Sequence, residues 1–446
     1  MSTVADSVPP QVSFAEAFRF WLKLGFISFG GPAGQIAIMH AELVERRRWV
    51  SDKRFVHALN YCMLLPGPEA QQLATYIGWL MHRTRGALVA GGLFVLPSLV
   101  LLIALSWAYL AFGKHPVAAG VLWAIKPAVT AIVLHAAWRI GGRTLHSPAL
   151  IAIAVASFVA IFAFDAPFPL IVGLAALIGW IGSRVAPAQF RAGGGHTARA
   201  GAHPPALIDD DTPPPAHAAP SRVKLAALLG IVALLWIAPL ALLAASYGWG
   251  GTLTQMGWFF TKAALLTFGG AYAVLPYVVQ GAVETHGWLS TPQMIDGLAL
   301  GETTPGPLIM IVAFVGFLGG WQTQVFGPHG LALAGIAAAC VATYFTFLPS
   351  FAFILAGAPL VESTRHVPQI AAPLTAITAA VTGVIVNLAL FFALHVFWPD
   401  GLSGAFDWVA AAIGIVAAIA LFRFKLGVIT LIGACAAIGL ARGLFS

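Results

Sequence analysis

The sequence predicts an all-α polytopic membrane protein whose two homologous halves form an inverted repeat, with helices broken at Gly and Pro or turned back as re-entrant hairpins. Three observations predict it: the solvent that the composition implies, an internal duplication, and the opposite placement of basic loops in the two halves.

Of 446 residues, 59% are hydrophobic and 9% charged, against roughly 25% charged in a soluble domain. Hydrocarbon must therefore surround most side chains. Runs such as Ala87–Phe112, Leu150–Phe164 and Trp408–Phe422 span or nearly span a bilayer as helices, without the alternation of membrane-barrel strands. The net charge is +7, but Lys and Arg collect in short loops as orientation signals do. That favours the lipid bilayer as partner and argues against nucleic acid. Cys62, Cys340 and Cys435 stand far apart in apolar segments and match no disulfide or metal pattern; nothing calls for a metal or cofactor. Residues 1–13 lack the positive charge of a cleaved signal, so the first hydrophobic segment is expected to direct insertion.

The first repeat occupies residues 1–183. Its stretch from Phe14 to Val44 is interrupted at Phe29-Gly30-Gly31-Pro32, and the next at Pro66-Gly67-Pro68. Arg46–Arg48, Lys53 and Arg54 lie in one flanking loop, and Arg83 and Arg85 in another; both loops belong in the cytoplasm. Each interrupted segment then enters and returns as a hairpin, the alternative being one full helix kinked at Gly or Pro. A polar linker follows at 184–224, rich in Gly, Ala, Pro and His and carrying Asp209-Asp210-Asp211; it reads as a flexible cytoplasmic connector. The spacing of His196, His203 and His217 favours solvated linker over metal site. Leu225–Ala245 supplies one extra crossing before the second repeat, so that the second transporter unit covers 225–446.

The duplication is read at a constant offset. Phe29-Gly30-Gly31 returns as Phe268-Gly269-Gly270, Trp49 as Trp288, and Pro66-Gly67-Pro68 as Pro305-Gly306-Pro307, all 239 positions later. Further on, Leu96-Pro97-Ser98 returns as Leu348-Pro349-Ser350 at an offset of 252. The basic loops of the first half have uncharged counterparts at 286–291 and 321–324, whereas Arg423 and Lys425 sit late in the second half. The halves should therefore face opposite ways, a common plan of secondary transporters.

Breaks within apolar segments are tolerated where they line a cavity, and helices restarting at Ala33, Glu69, Ala271 and Leu308 would aim backbone N–H groups into it. Each helix start carries about half a positive charge; four would suit a tetrahedral dianion. The alternative is that these glycines only allow close helix packing. Lys23 and Lys262 precede each Phe-Gly-Gly by six residues and could reach an anion or snorkel to the interface; Arg19 reads as an interfacial anchor. Carboxylates in apolar zones are costly, which makes Glu69 and Glu302 candidates for proton coupling, with a favourable first-turn acid as the alternative for Glu69. Lys126 and His135, with Thr378 and Asn387 as counterparts, are pathway or packing residues.

Phe29-Gly30-Gly31-Pro32, the run from Pro66-Gly67-Pro68-Glu69 to Tyr76-Ile77-Gly78-Trp79, and Thr304-Pro305-Gly306-Pro307 resemble the chromate ion transporter family in its two-domain, long-chain form. The resemblance implies efflux of chromate, a small oxyanion with sulfate as its look-alike, across the bacterial inner membrane, with resistance to chromate as the outcome. One departure is Ala271 where a second proline would stand. An intramembrane enzyme is disfavoured, since HExxH, Walker A and GxSxG patterns are all missing. A channel would share the breaks, but inverted repeats favour alternating access. Paired halves can complete a site within one chain, and a homodimer is left open.

Overall fold

The computed structural model describes residues 9–190, 205–213, 215–219, 221–364 and 371–445. Among these the chain is helical, apart from one parallel bridge between Val50 and Ile208. The first half runs α1 (Phe14–Ile27), α2 (Gly31–His40), α3 (Asp52–Cys62), α4 (Glu69–Phe112), α5 (Pro116–Thr144), α6 (Pro148–Phe164) and α7 (Phe168–Val185). After α8 (Arg222–Tyr247) the succession returns as α9 (Thr252–Leu265), α10 (Ala271–Val279), α11 (Thr291–Thr303), α12 (Ile311–Gln322), α13 (Leu331–Thr364), α14 (Ala371–Phe397), α15 (Trp408–Phe422) and α16 (Val428–Phe445). α4 is bent where His82 and Arg83 leave helical geometry, Arg83 at φ 55°; its parts, 69–81 and 84–112, correspond to α12 and α13. Even a detail recurs: α2 and α10 each widen into a π-helical turn, Ala41–Arg46 and Gln280–Thr285.

Among the described residues six helices are long and apolar enough to cross a bilayer: α4, α5, α7, α8, α13 and α14. The chain is therefore a multi-pass membrane protein. Helix α8, the extra crossing, buries Leu240 and packs Trp236 and Leu243 against the core, with most of its other apolar side chains turned outward, as on a helix that borders lipid. Elsewhere small residues bring helices together. A Cβ on Gly120 would lie 2.5 Å from the Gly439 carbonyl oxygen, so α5 and α16 meet backbone to backbone.

The interrupted segments are hairpins. Helix α1, with 14 residues, rises only ~21 Å, short of the ~30 Å core, and the chain then comes back to where it started. Trp49 packs 4.9 Å from Phe20, and Arg47 lies 5.0 Å over the Phe20 ring and 3.6 Å from Glu16. Trp288 meets Phe259 at 5.5 Å in the second half. The α3 hairpin closes likewise, its return limb ending with His82 Nε2 3.0 Å from the Val12 carbonyl. The kink at 82–83 and the bases of both first-half hairpins thus share one end of the molecule.

The linker departs from the expected flexible connector over the stretches described. Leu207 and Ile208 donate backbone hydrogen bonds to Arg48 and Trp49. Asp210 takes Ser51 Oγ at 2.6 Å and Lys53 Nζ at 2.8 Å, while His217 sits against Trp79 with Nε2 3.0 Å from its carbonyl. Acidic linker and basic loop are complementary, which composition alone does not register. His196 and His203 lie outside the described residues.

The docking has a pH signature. Burial by itself would raise the Asp210 carboxyl, but hydrogen bonds from Lys53 and Ser51, with the charges of Lys53 and Arg54, hold it below the usual carboxylate range. A carboxyl depressed on docking supports the docked state above its free value, about 3.9, and loses that support as pH falls through the lower docked value. Protection factors at the Leu207 and Ile208 amides, taken against the intrinsic exchange rate at each pH, should therefore stay high from pH 5 to 8 and fall only in stronger acid. Asp210→Asn should exchange faster already at pH 7; unchanged protection in that variant would contradict the assignment.

Candidate functional site

Four hairpin tips meet, two from each half. Gly30, Gly31, Gly67, Gly269, Gly270 and Gly306 all take positive φ, from 68° to 129°, a region costly to residues with a Cβ. These turns would leave backbone groups unbonded at membrane depth. Two of those groups are satisfied across the halves. The Gly67 N–H donates to the Thr267 carbonyl at 2.7 Å, and the Gly306 N–H donates to the Ser28 carbonyl at 2.8 Å. Residues 28 and 67 correspond to 267 and 306 at the repeat offset, so one bond is the counterpart of the other.

Side chains brace the crossing unequally. Gln35 Nε2 donates to the Gly306 carbonyl at 2.5 Å, and Gln72 Nε2 to the Pro66 carbonyl at 2.8 Å. Ser98 lies against Gly306 and Ser350 against Gly67. The hydroxyls of Ser28, Ser98 and Ser350 are buried with no hydrogen-bond partner. Unused hydrogen-bonding capacity is therefore packed closely around the tips.

Helix starts differ in how they are capped. Ser13, Ser51, Ser147, Ser221 and Asp407 cap α1, α3, α6, α8 and α15 with side-chain oxygens, satisfying N–H groups of the first turn. The starts at the tips follow Gly30, Pro68, Gly270 and Pro307, and none has a side-chain cap; α5, α7 and α9, away from the tips, also start without one. Of their first-turn amides, those of Ala273 and Met310 bond the Gly270 and Pro307 carbonyls; a helix start leaves its remaining amides to outside acceptors, an anion among them.

The structure brings Phe29-Gly30-Gly31-Pro32, Pro66-Gly67-Pro68, Phe268-Gly269-Gly270 and Pro305-Gly306-Pro307 to this crossing. Glu69 faces it: an atom at the Cβ position of Gly270 would stand 3.8 Å from Glu69 Oε1. Glu302 is buried and accepts a 2.5 Å hydrogen bond from Tyr272, the second residue of α10. The lysines are not drawn in. Lys23 is exposed beside Phe18, Leu22 and Phe26, and Lys262 Nζ sits 5.8 Å over the Trp258 ring, one turn back from the tip. Arg19 is likewise exposed. Lys126 pairs with Asp296 at 3.2 Å, and its counterpart Thr378 flanks Gly269 at 3.3 Å from a Cβ placed there. His135 packs 5.1 Å from Phe422. Asn387 lines a cavity with Asp165 and Glu284.

Sequence reasoning misses Gln35, Gln72 and Arg139. The positive charge of Arg139, on α5, reaches Glu69, Glu302 and Tyr272, yet Arg139 makes no hydrogen bond or ion pair among the described residues. A cation in an apolar helix was the available signal. No spacing links it to the tips, because the contact is tertiary.

A family described as Chromate transporter matches residues 15–180 and 254–440. A chromate transport protein of Cupriavidus metallidurans is 30% identical over 396 residues, covering 88% of this chain and 86% of its own. One of Pseudomonas aeruginosa is 33% identical, covering 85% and 81%. A shorter uncharacterized transporter of Bacillus subtilis is 31% identical over 124 residues, 28% of this chain but 70% of its own. No solved structure matches the chain.

Gly67→Ala and Gly306→Ala should lower the thermal unfolding midpoint in detergent more than Gly31→Ala. All three pay for positive φ, about 1–3 kcal/mol, but only the first two also drive a methyl into Ser350 or Ser98, whereas a Cβ on Gly31 meets nothing within 4 Å. Equal midpoints for the three would argue against a close-packed crossing.

Proposed function

The chain belongs to the chromate transporter family, and from that premise we propose that it is a secondary transporter exporting chromate, or a related tetrahedral oxyanion such as sulfate, across the bacterial inner membrane, so conferring chromate resistance. The crossing of uncapped helix starts is the observation that carries this reading. It offers a doubly charged anion several backbone donors, in a space whose buried hydroxyls lack partners. An anion lacking hydrogen-bond donors of its own is the ligand such a donor set suits.

The halves lie antiparallel in this proposal. Midway along its length α4 packs Gly91 against Phe351 of α13. Arg54 of α3 and Tyr76 of α4 both bind the buried Glu362 near the end of α13, Tyr76 at 2.5 Å. Near the end of α4, Tyr109 donates to Asp296 of α11 at 3.0 Å, and Lys126 completes that pair. Two charged locks therefore join the halves, one at each end, with the acid on α13 in one and on α11 in the other.

Alternating access follows from opening one lock while the other holds, exposing the crossing to each side in turn. Each open state leaves a charge that only water can satisfy, so a lock opens toward the aqueous face. Glu69 and Glu302 supply the coupling: an ionised Glu69 beside Gly270 repels a dianion, and a proton there removes the repulsion.

Inside-out membrane vesicles containing the protein should accumulate chromate with saturation, and sulfate should compete. Vesicles that take up neither chromate nor sulfate beyond those without the protein would overturn the proposal. Glu362→Gln and Asp296→Asn should each slow turnover several-fold while sparing equilibrium anion binding; an unchanged rate in both would remove the locks from the cycle.

A further inference from the structure

We propose that Ser98 and Ser350 are a matched pair of oxyanion-binding residues, each donating its hydroxyl hydrogen to the anion at the tip crossing it faces. The inference rests on reading the crossing as the anion site, and it adds the side chains that hold the oxygens.

These serines end the repeated Leu96-Pro97-Ser98 and Leu348-Pro349-Ser350 and are 0% and 1% exposed. Each touches a glycine of the other half. A Cβ on Gly306 would fall 2.8 Å from Ser98 Cβ and 3.3 Å from its Oγ, and a Cβ on Gly67 would fall 2.4 Å from Ser350 Oγ. The two contacts are counterparts under the repeat, and each adjoins one of the two inter-half backbone bonds.

A hydroxyl inside a helix has a ready acceptor, the carbonyl four residues before it. On the same two helices Ser106 donates to Leu102 at 2.6 Å and Thr346 to Ala342 at 2.7 Å; on α14 Thr382 does the same with Thr378 at 2.9 Å. Ser98 and Ser350 do not, and neither Oγ has any partner. A buried hydroxyl without a partner is unfavourable, and a buried alanine would avoid it. Thr254 and Thr343 share the exception, but Ser98 and Ser350 show it at equivalent positions beside the positive-φ glycines, and that placement assigns their hydroxyls to a ligand.

The chemistry fits a tetrahedral oxyanion. Its oxygens only accept, and hydrogen bonds to a charged acceptor are the stronger kind. Hydroxyls with backbone amides form a donor set without a lysine at the tips, consistent with Lys23 and Lys262 lying elsewhere. Such a set holds a dianion without the deep well that a salt bridge would create, which suits release.

The test is chromate uptake into inside-out vesicles, with the half-saturating concentration read for each variant. Ser98→Ala and Ser350→Ala should each raise it by about tenfold or more, as loss of a hydrogen bond to a charged group does. Ser106→Ala, equally buried on α4 but bonded to Leu102, should leave it unchanged. Ser98→Cys and Ser350→Cys keep the shape with a weak donor and should show the same rise, which covers an alanine variant that fails to fold. Alanine and cysteine variants saturating at the wild-type concentration would overturn the inference while leaving the transporter standing. Wild-type vesicles that take up neither chromate nor sulfate would overturn both.

Discussion

Backbone amides in hydrocarbon must find acceptors within the protein, and the arrangement around the tips follows from how that requirement is met. Hairpins that turn at membrane depth cannot bond every group within themselves. Gly67 and Gly306 find their acceptors on Thr267 and Ser28, each on the other half. The bonds need close approach of backbones, hence glycine at the donors, and they place four helix starts around one space. The crossing that keeps the halves together is thereby also what prepares the proposed anion site.

Duplication supplies a frame with twofold character, but the chemistry placed on it is uneven. Glu69 stands where the other half has Leu308, and the Tyr272–Glu302 pair stands where the first has Ala33 and Met63. Lys126 engages Asp296 while its counterpart Thr378 flanks a tip. Symmetric positions such as Ser98 and Ser350 suit a ligand whose faces are alike. Unequal carboxylates suit a cycle whose two directions must differ.

Much of this was legible in the residues. Composition indicated the membrane, and the constant offset indicated two halves and paired the tips that meet. Phe-Gly-Gly and Pro-Gly-Pro marked the turns because positive φ and lost N–H groups are local properties. What was not legible is tertiary. Nothing in the spacing of Lys262 says that its ammonium settles over Trp258 instead of reaching the tip. Arg54 looked like an orientation signal, yet it binds Glu362 across the halves and the Asp209 and Thr212 carbonyls of the linker. The linker looked featureless because its order comes from a partner surface 138 to 159 positions earlier in the chain.

The reciprocal bonds also set a timetable for biosynthesis. Gly67 leaves the ribosome 200 residues ahead of Thr267, roughly 10–40 s at ordinary synthesis rates. Throughout that interval the first hairpins have no acceptor for the amide at their tip. They must wait at the water boundary or beside the insertion machinery, and enter only when the second half arrives to receive them. Halves encoded as separate chains would face a concentration-dependent search at the same step, which fusion through a linker and one lipid-facing helix removes.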